Sequence, residues 1–153
     1  MTLADVLTIM PENFPSRKRL LAIYQKMMNS LVPLQDKKTG HWFQLPMQIQ
    51  DSEKGNFIES SCTSMFGYAM AKGIKSGILP EKTFINVVKN AYDGISKNSI
   101  KVIGNYKTLS NVCAGTCIGD KFYYYKRNVG VGTEFGLGAA IMFSDAYNQL
   151  IKY

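Results

Sequence analysis

Residues 56–77, NFIESSCTSMFGYAMAKGIKSG, are apolar around almost the whole circumference of a helix. Small residues (Ser64, Gly67, Ala71) alternate with large ones (Met65, Phe66, Tyr68, Met70, Ile74), and charge arrives only with Lys72 and Lys75. A helix of this kind has little to offer solvent, so it must be wedged between other helices. Both of its ends are marked. Glu59, Ser60 and Ser61 can accept bonds from the orphan amides of a first turn, and Glu59 suits the positive end of the dipole. Gly77 fits the left-handed position beyond a helix C-terminus, and the two lysines favour the last turn. Any fold for this chain has to surround that helix.

The flanking sequence supplies partners. Leu3, Val6, Leu7 and Met10 have helical spacing with no capping residue ahead of them, and residues 11–15 (PENFP) break the pattern. Ser16 reads as the cap of a second helix with Leu20, Leu21, Ile23, Tyr24, Met27, Met28 and Leu31 on its apolar face, ended near Pro33. A turn at 36–40, a short extended piece at 41–45 and a polar loop at 46–55 lead into the central helix. Pro80 takes the first position of a helix running to about Lys97, with Phe84, Val87, Val88, Ala91, Tyr92 and Ile95 inward. Residues 99–131 read as irregular loops with one or two short strands or a hairpin, and a final helix opens at Thr133 or Glu134 and runs through Gln149. The expected class is all-α, with about five helices in pairs joined by short turns and long loops. That is the pattern of part of an α/α toroid, and 1–153 forms a single domain.

The 153 residues suffice for one buried core. A net charge of +7 raises the question of nucleic acid, but only Arg17-Lys18-Arg19 and Lys37-Lys38 cluster, with no interleaved basic-aromatic motif. The positive surplus instead reads as a solvated face that could also favour a polyanionic sugar. No apolar run approaches the ~18–20 residues that cross a bilayer, and the first residues lack the features of a signal peptide. As written, the chain is expected in the cytoplasm; a lost upstream signal would make it periplasmic or secreted. Cys62, Cys113 and Cys117 with the single His41 do not make up a four-ligand zinc site. The glycines at 130–138 lack the strand–turn–helix context and lysine of a phosphate loop, so neither metal nor cofactor is expected.

Several short motifs fall in a telling order: Gly40-His41-Trp42-Phe43-Gln44, then Asn56 with Glu59-Ser60-Ser61, then Met65-Phe66-Gly67-Tyr68-Ala69 and Lys72-Gly73-Ile74. Val112-Cys113-Ala114-Gly115-Thr116, Tyr123-Tyr124-Tyr125 and Gly136-Leu137-Gly138-Ala139 follow. This order resembles glycoside hydrolase families 88 and 105, the unsaturated glucuronyl and rhamnogalacturonyl hydrolases, over essentially the whole chain but only the family's C-terminal half. The resemblance implies an (α/α)6 barrel of twelve helices, of which this chain supplies about five. It also implies an acidic, unsaturated oligosaccharide as substrate. In such enzymes an aspartate protonates and hydrates the C4–C5 double bond of the terminal sugar, and the resulting hemiacetal collapses.

The family's aspartates belong to its N-terminal half, and no position here matches their motifs, so no catalytic residue is assigned. Asp5, Asp36, Asp51, Asp93 and Asp120 read as helix-surface or turn residues. Where many family members carry a histidine before the last helix's glycine, this chain has Thr133-Glu134-Phe135-Gly136. The candidates for sugar contact are His41, Trp42, Gln44, Glu59, Ser60 and Thr116. Each has a second reading: Trp42 as a core aromatic, Gln44 and Glu59 as loop and cap groups. Of Tyr123–Tyr125, at least one should point inward if that run is extended. Two functions follow as expectations. One is a truncated uronyl hydrolase that is inactive in isolation; the other is a non-catalytic carbohydrate-binding or interaction module. Exposed flanks of a half-toroid further predict self-association or a complementing N-terminal chain.

Overall fold

The computed structural model describes residues 1–152. Among the described residues five α-helices of eight residues or more carry the architecture: α1 (Thr2–Ile9), α2 (Arg17–Leu31), α3 (Ser60–Lys75), α4 (Glu81–Gly94) and α6 (Glu134–Ile151). A single-turn helix, α5 (Lys121–Tyr125), lies in the long loop region. Three two-stranded antiparallel ribbons accompany the helices among the described residues. They pair β1 (Trp42–Phe43) with β2 (Ile58–Glu59), β3 (Ile100–Ile103) with β4 (Tyr106–Leu109), and β5 (Val112–Cys113) with β6 (Val129–Gly130). No helix among the described residues is long and apolar enough to cross a membrane.

The helices stand in two rows. In one, α3 is flanked by α1 and α6; in the other, α2 lies behind α1 and α4 behind α3 and α6. Close approach to α3 requires its small residues. A Cβ on Gly67 would come within 2.3 Å of the Phe143 ring on α6, and one on Gly73 would meet the Tyr24 hydroxyl. That hydroxyl donates to the Ala69 carbonyl at 2.6 Å, tying α2 to the middle of α3. The core is built from Leu7, Tyr24, Met28, Trp42, Met70, Phe84, Val88 and Phe143, all fully buried. Gly77 takes the left-handed conformation (φ 71°), and the Ile78 amide returns to the Gly73 carbonyl at 2.9 Å, closing α3 as its sequence implies.

Several expectations are corrected. Ser16 occupies the residue before α2, but its backbone is already helical and its hydroxyl makes no capping bond. Ile23 and Met27 face solvent, because α2 turns Leu20, Leu21, Tyr24, Met28 and Leu31 toward the core instead. Pro80 stands one residue before α4 rather than at its first position, and α4 passes through a π-turn at Ile95–Ser99. The polar loop is largely 3-10 helix over Pro46–Lys54, ended by left-handed Gly55. Tyr123–Tyr125 are helical, not extended, because the Asp120 carboxylate accepts the Tyr123 amide at 2.8 Å and nucleates α5.

Candidate functional site

Segment 41–44 and the start of α3 are held together by β1 pairing with β2, which sets Trp42 opposite Glu59 and Phe43 opposite Ile58. Asn56 fixes the loop between them. Its side-chain oxygen accepts the Leu45 amide, and its side-chain nitrogen donates to the carbonyls of Leu45 and Gln48. Glu59, at the N-cap, is only 4% exposed. One carboxylate oxygen accepts the Cys62 amide at 2.6 Å; the other accepts the amides of Ser61 at 3.2 Å and Cys113 at 3.0 Å, and the Ser61 hydroxyl donates to both. One side chain thus caps α3 and fastens β5 across it.

From this junction the candidates divide. On the interior side, Trp42 is completely buried: its indole N–H donates to the Leu31 carbonyl at 2.8 Å, and its ring meets Phe66 edge-on at 5.4 Å. It satisfies a carbonyl left open at the end of α2. His41 and Ser60 are equally enclosed. The Ser60 hydroxyl donates to Ser99 Oγ at 2.7 Å, and His41 Nε2 lies 2.8 Å from the same oxygen. His41 Nδ1 faces the Thr39 carbonyl at 3.1 Å. A carbonyl only accepts, so Nδ1 carries the proton and Nε2 accepts from Ser99. Burial pushes the His41 pKa down, against smaller opposing effects from Thr39, Asp36 and Glu59, which keeps the ring neutral. The structure therefore puts His41, Trp42 and Ser60 inside the fold, where sequence reasoning had offered them to a sugar.

On the outer side Gln44, Glu59 and Thr116 come together. They line an open cleft of about 330 Å³ with Ser61, Cys62, Met65, Cys113, Tyr124 and Phe135. Gln44 donates through Nε2 to the Cys113 sulfur at 3.2 Å, while its Oε1 is buried without a partner among the described residues. Burial, followed by the charge of Glu59, pushes both the Cys62 and Cys113 thiols up, so neither supplies a thiolate near neutral pH. Arg127 braces the rim: its guanidinium donates to the Gly115 carbonyl and lies 5.1 Å from the centre of the Tyr123 ring.

A second shallow cleft, of about 390 Å³, is formed by Leu45, Pro46, Met47, Gln48 and Lys121 and shares Tyr124 with the first. Its walls are tied together by Asp51, which accepts from Lys54 at 2.9 Å and from the Tyr125 hydroxyl at 2.7 Å. Those two bonds hold the Asp51 carboxyl below its usual range, and burial with Asp51 beside it pushes Tyr125 up to about 12.

Ser61, Tyr124 and Arg127 were not singled out as individual candidates by sequence. The tyrosine run was the one available signal for Tyr124. Among the described residues no aspartate lines the main cleft. Asp145, the remaining aspartate, sits on α6 and accepts from Gln149 at 2.7 Å. Among the described residues no group of three or more His, Cys, Asp or Glu side chains could hold a metal ion.

Two rows of packed helices with long loops gathered at a cleft define a segment of an α/α toroid. The family model of Glycosyl Hydrolase Family 88 matches residues 1–151, and the chain belongs to that family. A family 105 glycoside hydrolase from C. acetobutylicum ATCC 824 superposes on 98% of the chain with a TM-score of 0.88 and 29% identity, and 43% of that protein is covered. A family 88 glycosyl hydrolase from Bacteroides vulgatus matches 99% of the chain at TM-score 0.71 and 21% identity, with 40% of its own length covered. An unsaturated 3S-rhamnoglycuronyl hydrolase from Alteromonas sp. (strain LOR) is 32% identical over 88 residues, which are 58% of this chain and 20% of that protein. The chain thus spans a fifth of the curated relative and about two fifths of the solved ones.

Proposed function

We propose that this chain is the C-terminal, sugar-facing portion of an unsaturated uronyl hydrolase of the rhamnogalacturonyl or glucuronyl type, and that it binds an unsaturated acidic oligosaccharide without turning it over alone. The observation carrying this reading is the cleft at the head of α3, where Gln44 offers an unpartnered buried acceptor beside Thr116, Ser61 and Tyr124. A buried amide oxygen without a partner is costly, and a sugar hydroxyl would satisfy it. Tyr124 lines both clefts, where successive sugar rings of one oligosaccharide would meet it. Family membership and the named activity of the Alteromonas relative support the substrate class.

The chemistry sets the limit on turnover. Hydration of the C4–C5 double bond needs a proton donor within hydrogen-bond reach of the reacting carbon. Among the described residues the only carboxylate lining the main cleft is Glu59, and amides of Ser61, Cys62 and Cys113 with the Ser61 hydroxyl already occupy both of its oxygens. Its role is to hold β5 and α3 in register, which shapes the cleft, while Gln44, Thr116 and Tyr124 orient the saccharide.

The test is to incubate the chain with an unsaturated uronyl–rhamnose disaccharide and follow the ultraviolet absorbance of the double bond. The expected trace is flat, with saturable binding by calorimetry. Sustained loss of absorbance by the chain alone would show that it carries its own acid.

A further inference from the structure

Asp51 is a buried carboxylate that takes no part in the main cleft, and its side chain is only 5% exposed. A carboxylate withdrawn from water is costly unless it is paired. Lys54, three residues on in the same loop, already pairs one of its oxygens at 2.9 Å. The other oxygen is turned to a remote part of the chain. It accepts the Tyr125 hydroxyl at 2.7 Å, and Lys121 Nζ lies 3.9 Å from it. Both partners belong to α5. Gly55 closes the same loop against α5: a Cβ there would come within 2.9 Å of the Tyr125 carbonyl oxygen.

α5 depends on such anchors. It is five residues long, too short to be stable by itself. Segment 114–128 is closed at its base by the β5–β6 ribbon, where the Ala114 amide donates to the Asn128 carbonyl at 2.9 Å. Asp51 then fixes α5 to the 46–54 loop. Successive residues on a helix are turned by about 100°, so three adjacent tyrosines point three ways. The Tyr123 hydroxyl accepts the Cys117 amide at 2.9 Å, within its own segment, and Tyr125 is bound to Asp51. Tyr124, set by these two neighbours, lines both clefts, and its hydroxyl bonds to no other described residue. The clefts, of about 330 and 390 Å³, are each the size of a small-ligand site.

Granted that the main cleft holds a saccharide, on which this step rests, we propose that Asp51 is a positioning residue for ligand length: by clasping Tyr125 it fixes Tyr124 as the wall shared by both clefts and joins them into one groove. A disaccharide in the main cleft has Gln44 and Thr116 and takes little from the clasp. A longer chain also meets Leu45, Pro46 and Met47 of the second cleft, and needs the two walls in fixed register. Were α5 loose, ordering it on binding would cost that added affinity.

The test is calorimetric titration of the whole chain with an unsaturated uronyl disaccharide and with the unsaturated tetrasaccharide of the same repeat. The wild type should bind the tetrasaccharide at least about tenfold more tightly, the worth of one or two added polar contacts. Tyr125→Phe keeps the ring and removes only the donated bond; it should erase the preference while changing disaccharide affinity by less than about threefold. Asp51→Ala should do the same, and the double variant should be no worse than either single one, because the two side chains act as one clasp. Asp51→Asn, which keeps an acceptor oxygen for the Tyr125 hydroxyl, should retain most of the preference. Circular dichroism checks each variant for folding, and if Asp51→Ala does not fold, Tyr125→Phe decides. A wild type that binds both sugars equally, a preference untouched by Tyr125→Phe, or parallel loss of both sugars in that variant would overturn the role of Asp51 alone. Binding of neither sugar by the wild type would overturn the saccharide cleft itself, and the clasp's role with it.

Discussion

The inner and outer sides of the Glu59 junction are built from neighbouring residues of the same two segments and do opposite things. Inside, every polar group of the His41, Ser60 and Ser99 side chains has a partner, and the Trp42 indole N–H is spent on a helix-end carbonyl. Outside, the Gln44 Oε1 lies buried at the cleft wall without a partner among the described residues, and Thr116 stands in the open. A closed network specifies geometry and stability, because removing one member leaves another buried and unsatisfied. An open one is available to a ligand. One motif, Gly40-His41-Trp42-Phe43-Gln44, contributes to both, so family resemblance in that motif does not by itself separate scaffold from site.

The sharpest way to break this division is Trp42→Ala. As a buried core residue it should cost about 3–5 kcal/mol in urea unfolding; a Trp exposed to sugar would cost little stability and much binding. Next, Ser99→Ala should cost about 1–3 kcal/mol by stranding His41 Nε2 and the Ser60 hydroxyl, while leaving sugar affinity in the surviving folded protein unchanged. Glu59→Gln should cost about 1–2 kcal/mol through the weakened cap, and should lower protection of the Cys113 amide in hydrogen exchange.

Acid gives a comparison of the same kind. The folded-state pKa of His41 is lowered, so the unfolded chain takes up the proton first. The stability linked to neutral His41 is complete above the unfolded pKa of about 6.5 and declines as pH falls through it. Urea midpoints at successive pH values should show that decline, and His41→Gln should flatten it. The smallest stability effect belongs to the cleft: Gln44→Ala and Thr116→Ala should each change stability by less than about 1 kcal/mol yet weaken oligosaccharide binding.

How much of this was legible in the sequence follows from which residues carry local rules. The course of α3 was readable because its cap, its left-handed Gly77 and its small residues each have one physical reason to be there. The apolar periods of α4 and α6 were readable too, and those helices occur. Periodicity told less about α2, since Ile23 and Met27 are apolar in pattern but lie past the edge of the contact with α1 and α3. It could say nothing of α5, whose five residues are too short for a helical period and whose tyrosines favour strands. Of the site, Gln44, Glu59 and Thr116 do meet at one cleft. The inward turn of His41, Trp42 and Ser60 was hidden because it depends on Leu31 and Ser99, residues 11 and 39 or more positions away in the chain.

The most direct test of the account is calorimetric titration of an unsaturated uronyl disaccharide into the wild-type chain and a Gln44→Ala, Thr116→Ala double variant. Saturable binding to the wild type, weakened at least about tenfold in a double variant of unchanged urea midpoint, is the predicted result; each lost polar contact accounts for ~1 kcal/mol of that. Equal affinity in the two proteins would contradict the account, because the sugar would then be held somewhere other than the cleft at the head of α3.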